Sequence, residues 1–437
     1  MKPVKVVVVG AGSLSFGRGT IADLLDADRL NRQTELTVVL VDTDEEALDR
    51  MYSFAQVMKD YRGASTRLEA TTDRAEALPG ADYVIIAVAR QRIELWEQDF
   101  TVPAAFGFPQ VFGENGGPGG AFHTLRSIHL TMPIIRDVER LCPQALVLNF
   151  TNPESRVCLA ISRLTEVEAA GICHGPFATL AKVAEVLGKE PEQIELTVGG
   201  INHFHWVLGI KDATDGTDLY PRFAERMEQQ TWGLDPLVRY FYDTYGLLTY
   251  PAESHPGEYV GFAYSLTGPT FEHYRKFHVA WERGSEDKLP LWKRIQQVAD
   301  GEAPMTEELA KTSGEVIIPI IEAIEFDTGD RIMSANVLNS ELVVANLPAD
   351  AIVEVPLTVD AQGIHPIEVG PLPEAIAAMC RLQISIQNLL VEAYRQRSKR
   401  LLLQALLLEP TVDNAHQAEQ MMEEMLNRQA DFLPSFQ

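Results

Sequence analysis

Four consecutive valines, Val6 to Val9, run directly into Gly10-Ala11-Gly12-Ser13-Leu14-Ser15-Phe16-Gly17. An apolar β-branched run of this kind is a strand buried on both faces, the condition of a parallel sheet. The glycines that follow permit a tight turn and let backbone N–H groups approach a pyrophosphate at a helix N-terminus. A second apolar run, residues 36–41, ends on Asp42, whose carboxylate can accept hydrogen bonds from both hydroxyls of an adenosine ribose. An acid at that point favours NAD over NADP, because a 2′-phosphate would be repelled. A glycine triplet alone can serve only to pack a helix closely. The order strand, turn, helix, strand, Asp points to a dinucleotide, with Gly10, Gly12, Ser13, Phe16 and Asp42 as its contacts.

The alternation continues, and it predicts an α/β protein with an N-terminal doubly wound parallel sheet of the Rossmann kind. Strands are expected at 5–9, 36–41, 83–88, 145–149 and near 170–173, with amphipathic helices at 19–30, 45–61 and 125–141. Past residue 195 the pattern becomes mixed, which divides the chain into 1–195, for the dinucleotide, and 196–437, an α+β unit for substrate and association. Helical stretches are expected at 280–300, 307–326, 374–408 and 417–427, with strands and turns across 332–357. Ligands of such a sheet lie beyond the carboxyl ends of its strands. Gly10, Asp42, Ala89, Asn149 and Cys173 all fall there.

Composition excludes several classes. A formal net charge of -25 argues against a nucleic-acid partner, which calls for basic patches. No apolar run approaches the roughly 20 residues that cross a bilayer. Four cysteines, Cys142, Cys158, Cys173 and Cys380, make no disulfide framework in a chain of 437 residues and suit a reducing cytoplasm. Met1-Lys2-Pro3 leads straight into the first strand, so no signal peptide is expected.

Four segments can carry chemistry. Residues 113–120 hold five glycines in eight positions, a stretch expected to be a loop against a ligand and not a helix interior. Asn149-Phe150-Thr151-Asn152-Pro153 offers two amides at a strand end, fit to orient sugar or ribose hydroxyls or simply to make a turn. Cys173-His174-Gly175-Pro176 and Gly200-Ile201-Asn202-His203-Phe204-His205-Trp206 bring a thiol and imidazoles to the cofactor end of the sheet. Their spacing is not that of a closed zinc site. Two protein ligands would leave an open metal able to act as a Lewis acid, although a packed thiol and satisfied core histidines fit the spacing as well. Tyr250 to Tyr259 gathers Glu253, His255 and Glu258 between two tyrosines, a candidate acid/base segment or a solvated loop. Cys142, Cys158 and Cys380 read as packing thiols, and His129, His273, His278 and His416 as structural or exposed.

At these residues the chain resembles glycoside hydrolase family 4, the NAD- and metal-dependent glycosidases. The likeness takes in the Gly10–Gly12–Ser13 turn, Trp96-Glu97-Gln98-Asp99, Gly117-Pro118-Gly119-Gly120 before Leu125-Arg126, and Asn149 to Pro153. It continues through Cys173-His174, Gly200 to His203, His255 to Tyr259, Asn336-Val337-Leu338-Asn339, Val353-Glu354-Val355-Pro356 and Gly363-Ile364-His365-Pro366. The resemblance implies a lactate/malate-dehydrogenase-like fold, a homodimer or homotetramer, NAD on Gly10, Gly12, Ser13 and Asp42, and a divalent metal, usually Mn²⁺, on Cys173 and His203. Asn152 would lie against the sugar, with Asn149, Arg126 and His205 as further substrate contacts. Members with His after the cysteine, as His174 here, act on unphosphorylated α-glucosides, α-galactosides or uronides. The implied reaction is oxidation at C3, loss of the C2 proton, elimination of the aglycone, water addition and re-reduction. His174, Glu114, Tyr250, His255, Glu258 and Tyr259 are the acid/base candidates, without assigned roles. For a uronide, Arg90, Arg92 and Arg126 are the cations near a strand end. The alternative is an NAD-dependent 2-hydroxy-acid dehydrogenase without metal.

Overall fold

The run Val6 to Val9 is buried in the computed structural model, which describes residues 1–14, 16–284 and 289–437. It closes β1 (Lys2–Val9), which pairs in parallel with β2 (Thr34–Val41), and β2 pairs with β3 (Arg67–Thr71). On its other side β1 meets β4 (Tyr83–Ile86), followed by β5 (Leu146–Asn149) and β6 (Ala169–Gly171), all parallel. The order β3-β2-β1-β4-β5-β6 is the dinucleotide-binding one. The unbroken valines have a direct cause. Val6 and Val8 pack with Leu24, Leu40 and Phe54, while Val7 and Val9 pack with Val84, Ile86 and Ile135 on the opposite face. Edge strand β3 escaped the sequence reading because only Leu68 of its five residues is buried.

The second half does not build a separate large sheet. β7 (Ile194–Ile201) and β8 (Phe204–Asp212) form an antiparallel ribbon closed by the two-residue turn Asn202-His203. β9 (Asp330–Leu338), β10 (Ile352–Asp360) and β11 (Gly363–Pro366) then extend the first sheet to nine strands, with β9 antiparallel to β6. The strand ends that bear Asn149 and Cys173 therefore stand in mid-sheet, covered from both sides.

Most helices fall where periodicity placed them. Helix Glu45–Arg62 starts with the Asp44 side chain accepting from the Ala47 N–H and stops at left-handed Gly63. The stretch 374–408 is two helices, Glu374–Gln396 and Lys399–Leu408, separated by left-handed Arg397 and the Ser398 cap. The region 280–300 holds helices Phe271–Arg283 and Leu291–Ala299; residues 285–288, like Ser15 of the glycine turn, lie outside the described residues. The glycine-rich stretch differs from expectation. Gly117 to Gly120 form the first turn of helix Gly117–Leu141, with Pro118 near its start, where a missing N–H costs nothing. Glycine is needed there for clearance, since a Cβ on Gly119 would stand 2.3 Å from the Asp99 carbonyl oxygen. Among the described residues no helix is long and apolar enough to cross a membrane.

Candidate active site

The dinucleotide end is built by backbone proximity. Gly10 has φ +89° and a Cβ there would lie 2.1 Å from the Ala87 carbonyl oxygen, so only glycine fits. The Gly12 N–H donates to Asp42 Oδ2 at 2.9 Å, and Asp42 Oδ1 accepts from the Asp44 N–H at 3.0 Å. A cavity of about 500 Å³ runs from Asp42 past Gly10, Ser13 and Phe16 to Thr151 and Asn152. The Phe16 ring packs 5.5 Å from that of Phe150 on its wall. A glycine cradle at a strand end, with an acid at the tip of the next strand, fits a dinucleotide whose ribose hydroxyls meet Asp42.

Beside it, four side chains from three segments converge. Asn149 O accepts the Ile172 N–H at 2.9 Å, so the Asn149–Asn152 segment and Cys173 stand next to each other at the ends of β5 and β6. Cys173 Sγ accepts from the Gly175 N–H at 3.4 Å, with the Asn202 amide as a further donor beside it. Gly175 leaves room for Tyr250: a Cβ would come 2.7 Å from the Tyr250 ring and 3.5 Å from Cys173 Sγ. Tyr250 stacks on His255 with centroids 4.4 Å apart and lies 6.1 Å from the His203 ring, while His255 and His203 are 4.4 Å apart. The Tyr250 hydroxyl makes no hydrogen bond among the described residues.

His203 occupies the β7–β8 turn with φ 63°, a left-handed conformation rare outside glycine and asparagine. Its Nδ1 is buried without a partner among the described residues. Burial, then the neighbouring His255 and His205, holds its pKa well below the usual imidazole range, so the ring is neutral and one of its nitrogens keeps a free lone pair. Burial also raises the Cys173 thiol, reinforced by the carboxylates of Glu354 and Glu154. A soft sulfur and a neutral imidazole with an orphaned nitrogen fit a divalent metal. No group of three or more His, Cys, Asp or Glu able to hold a metal occurs among the described residues. A metal on these two would keep positions open for substrate oxygens.

Other predicted residues ring this centre or prove to be fastened elsewhere. Glu114 lines the cavity and accepts from Arg92 Nη2 at 3.0 Å. Glu258 is buried and its Oε1 accepts the N–H groups of Glu114, Asn115 and Gly116, at 2.5, 2.8 and 3.3 Å; burial and the nearby Glu114 push its pKa up to about 8. Through that oxygen it anchors the glycine-rich turn. The Tyr259 hydroxyl donates to the Asn202 carbonyl at 3.1 Å, bracing the His203 turn. His174 is largely exposed, with Nδ1 3.3 Å from the Glu315 carboxylate, which raises its pKa. His255 Nδ1 lies 2.7 Å from Ser254 Oγ, and burial lowers its pKa to about 4.

Three expected substrate contacts are committed to the protein itself. Arg126 forms a buried fork with Asp99 and also donates to Gln429 at 2.6 Å. Asn149 is fully buried, donating to the Thr151 carbonyl at 3.2 Å and accepting from the Thr151 N–H at 3.1 Å. His205 is fully buried between Glu354 and Thr179. Asn152 does reach the cavity. His123 was missed by the sequence reading. Its Nδ1 lies 2.8 Å from the Glu114 carbonyl, and burial lowers its pKa to about 3, leaving a neutral ring on the cavity wall. Its position one helical turn beyond Gly119-Gly120 was the available signal.

A dinucleotide-type sheet with an open thiol–imidazole pair at its carboxyl edge defines an enzyme class more closely than the sheet alone. The family 4 glycosyl hydrolase model matches residues 5–189, and that of the family 4 glycosyl hydrolase C-terminal domain matches residues 198–412. The chain is 30% identical to an α-galactosidase of Bacillus subtilis (strain 168), over 99% of both chains. It is 29% identical to an α-glucosidase of Erwinia rhapontici over 98% of both, and 28% identical to an α-galacturonidase of B. subtilis over 97% of both. A 6-phospho-α-glucosidase from gut microorganisms, solved in complex with NAD and Mn²⁺, superposes with a TM-score of 0.85 at 23% identity, covering both chains completely. The chain belongs to family 4 of the glycosyl hydrolases and is a glycosidase. The metal-free 2-hydroxy-acid dehydrogenase is thereby set aside.

Proposed function

We propose that this chain hydrolyses small unphosphorylated α-glycosides, and that an α-uronide is the glycone it suits best, with NAD and Mn²⁺ as cofactors. The observation that carries the reading is His203, neutral, buried and missing a partner on Nδ1, set beside Cys173 at the end of a dinucleotide sheet. NAD⁺ on the glycine turn would supply a hydride acceptor and donor for sugar C3, and a metal on Cys173 and His203 would supply the Lewis acidity that makes the C2 proton labile and permits elimination of the aglycone. The protein's part is positional. Cys173 and His203 hold the cation, Asn152 orients hydroxyls, and Asp42 with the glycine turn seats the adenosine ribose and pyrophosphate.

Tyr250 is the base we favour at C2, since its hydroxyl has no hydrogen-bond partner among the described residues and its ring touches the Cys173–Gly175 turn. His174, paired with Glu315, is placed to assist the leaving group. The acidic glycone follows from Arg90. Arg74 and Arg92 on the cavity wall pair with Asp137 and Glu114, and Arg126 in an adjoining cavity pairs with Asp99, whereas Arg90, on both, has no acidic partner among the described residues and packs on Phe432. A uronide carboxylate would satisfy it without a phosphate. Residues 1–195 would serve NAD and supply Cys173 and Asn152, and residues 196–437 would supply His203 and Tyr250 and self-association into a dimer or tetramer. Free thiols and the absence of a membrane helix among the described residues suit the cytoplasm.

The test is turnover of p-nitrophenyl α-galacturonide, α-galactoside, α-glucoside and 6-phospho-α-glucoside with NAD⁺, Mn²⁺ and a reductant, repeated in D₂O. Deuterium at C2 of the released sugar is expected; efficient cleavage without that label overturns the elimination route. Arg90→Met is expected to lower kcat/KM on the uronide by about 10²-fold or more, as loss of a charge-assisted hydrogen bond does. Neutral glycosides should be spared. A rise in the NAD dissociation constant with unchanged sugar preference would assign Arg90 to the cofactor phosphates instead.

A further inference from the structure

Beneath the thiol–imidazole pair, a line of buried polar groups crosses three elements. We infer that Glu354, His205 and Thr179 form a positioning relay that fixes the first turn of helix Gly175–Leu187, and with it Cys173 Sγ, for a divalent cation. The inference rests on the reading that Cys173 and His203 hold a metal.

All three side chains are within 1% of complete burial. Glu354 Oε2 on β10 lies 2.9 Å from His205 Nδ1 on β8, and His205 Nε2 lies 2.9 Å from Thr179 Oγ1. With Nε2–H donated to Thr179 Oγ1, the hydroxyl proton is left for the Gly175 carbonyl, and one proton between Nδ1 and the Glu354 carboxyl completes the line. That hydroxyl stands 3.3 Å from the Gly175 carbonyl, and the Gly175 N–H reaches Cys173 Sγ. The line thus runs from a strand of the second half to the sulfur. The His205 ring also lies 6.0 Å from Tyr250, so the same imidazole backs the tyrosine that flanks the thiol.

The charge balance points the same way. Glu354 Oε1 is buried without a partner, and no Lys or Arg pairs with Glu354 among the described residues. Asn336 is the cross-strand neighbour of both Glu354 and Gly171, and its amide donates to the buried Glu154 Oε1 at 2.6 Å. Gly171 is two residues before Cys173, and a Cβ on it would stand 2.1 Å from Glu154 Oε1. Two buried carboxyl groups therefore stand under the thiol without a Lys or Arg partner among the described residues. Burial, then Glu354 and Glu315, pushes the Glu154 pKa well above the carboxylate range, so the unpartnered Glu354 Oε1 is the acceptor left beneath the thiol. Apolar side chains would fill this space at lower cost. A divalent cation on Cys173 and His203 would set positive charge above these oxygens, and the relay keeps the sulfur aimed at it, as outer partners of metal ligands do.

The experiment measures Mn²⁺ binding by the full chain from the EPR signal of free aqueous Mn²⁺, without sugar or turnover. Thr179→Val, which removes the hydroxyl at constant shape, and Glu354→Gln are expected to weaken Mn²⁺ binding about 10- to 100-fold. Thr179→Ser should restore it, and NAD affinity should not move. Wild-type affinity in folded Thr179→Val overturns the relay, and that Val/Ser pair decides the matter even where Glu354→Gln fails to fold. Absence of Mn²⁺ binding by the unmodified chain overturns the metal reading itself, whereas binding that is indifferent to all three substitutions removes the relay alone.

Discussion

At the scale of single residues, His203 shows a ligand held at a backbone cost. A non-glycine residue at φ 63° is strained by about 1–3 kcal/mol, and the surrounding structure must over-determine it. The Phe204–Tyr259 packing and the Tyr259–Asn202 hydrogen bond provide that constraint on either side of the turn. His203→Gly should therefore melt higher than His203→Ala by about 1 kcal/mol in stability, because glycine alone enjoys the left-handed turn. Neither variant should retain Mn²⁺. Calorimetry beside Mn²⁺ titration checks both halves, and equal melting of the two variants would refute the strain. For Tyr250, replacement by Phe keeps the ring that packs on His255 and removes the hydroxyl alone. About a 10²- to 10⁴-fold fall in kcat is expected, the usual worth of a general base. Mn²⁺ and NAD affinities should hold, and C2 deuterium exchange should fall in parallel.

At the scale of elements, the glycine-rich turn and the 255–259 segment act as one unit through Glu258. Its pKa of about 8 is raised by burial and by Glu114, against the opposing pull of three backbone N–H groups. The folded state holds this proton more tightly than the unfolded chain does. The resulting stability is complete below the ordinary carboxyl range and drains away as pH rises through about 8. Thermal melting between about pH 5 and about pH 9 should fall more steeply in the wild type than in Glu258→Gln, which cannot titrate. Parallel slopes would show that Glu258 does not drive it.

This unit also marks how far the sequence could be read. The β1 turn and Asp42 were legible because strand, glycine and acid are local, and both faces of the strand announce themselves. Cys173 and His203 were legible as chemistry through local motifs, but their convergence with Tyr250 was not. Arg126 and His205 looked like site residues for the same reason that they are structural: buried charge and imidazole need partners. Those partners lie 27 and 149 residues away, at Asp99 and Glu354, beyond any local pattern. The run 113–120 misled because glycine content reports backbone crowding as readily as flexibility.

At the scale of the whole molecule, cofactor and metal would be held by different strand ends: Gly10 and Asp42 on β1 and β2, Cys173 beyond β6 and His203 on the separate ribbon. Chelating the metal should consequently abolish hydrolysis and leave far-UV circular dichroism and NAD binding intact, with activity returning on addition of Mn²⁺. Loss of NAD binding on chelation would mean that the two ends are one site.

The seam between the halves has a further meaning. Strand β6 is three residues long and joins the later strands through the single register pair Gly171↔Asn336. A gene encoding only the first half would end its sheet on a raw edge at that seam, with Cys173 beside it and without His203. One encoding only the second would have His203 without Cys173. Neither half alone would bring the two together, so splitting the chain at this seam would part the thiol from its imidazole.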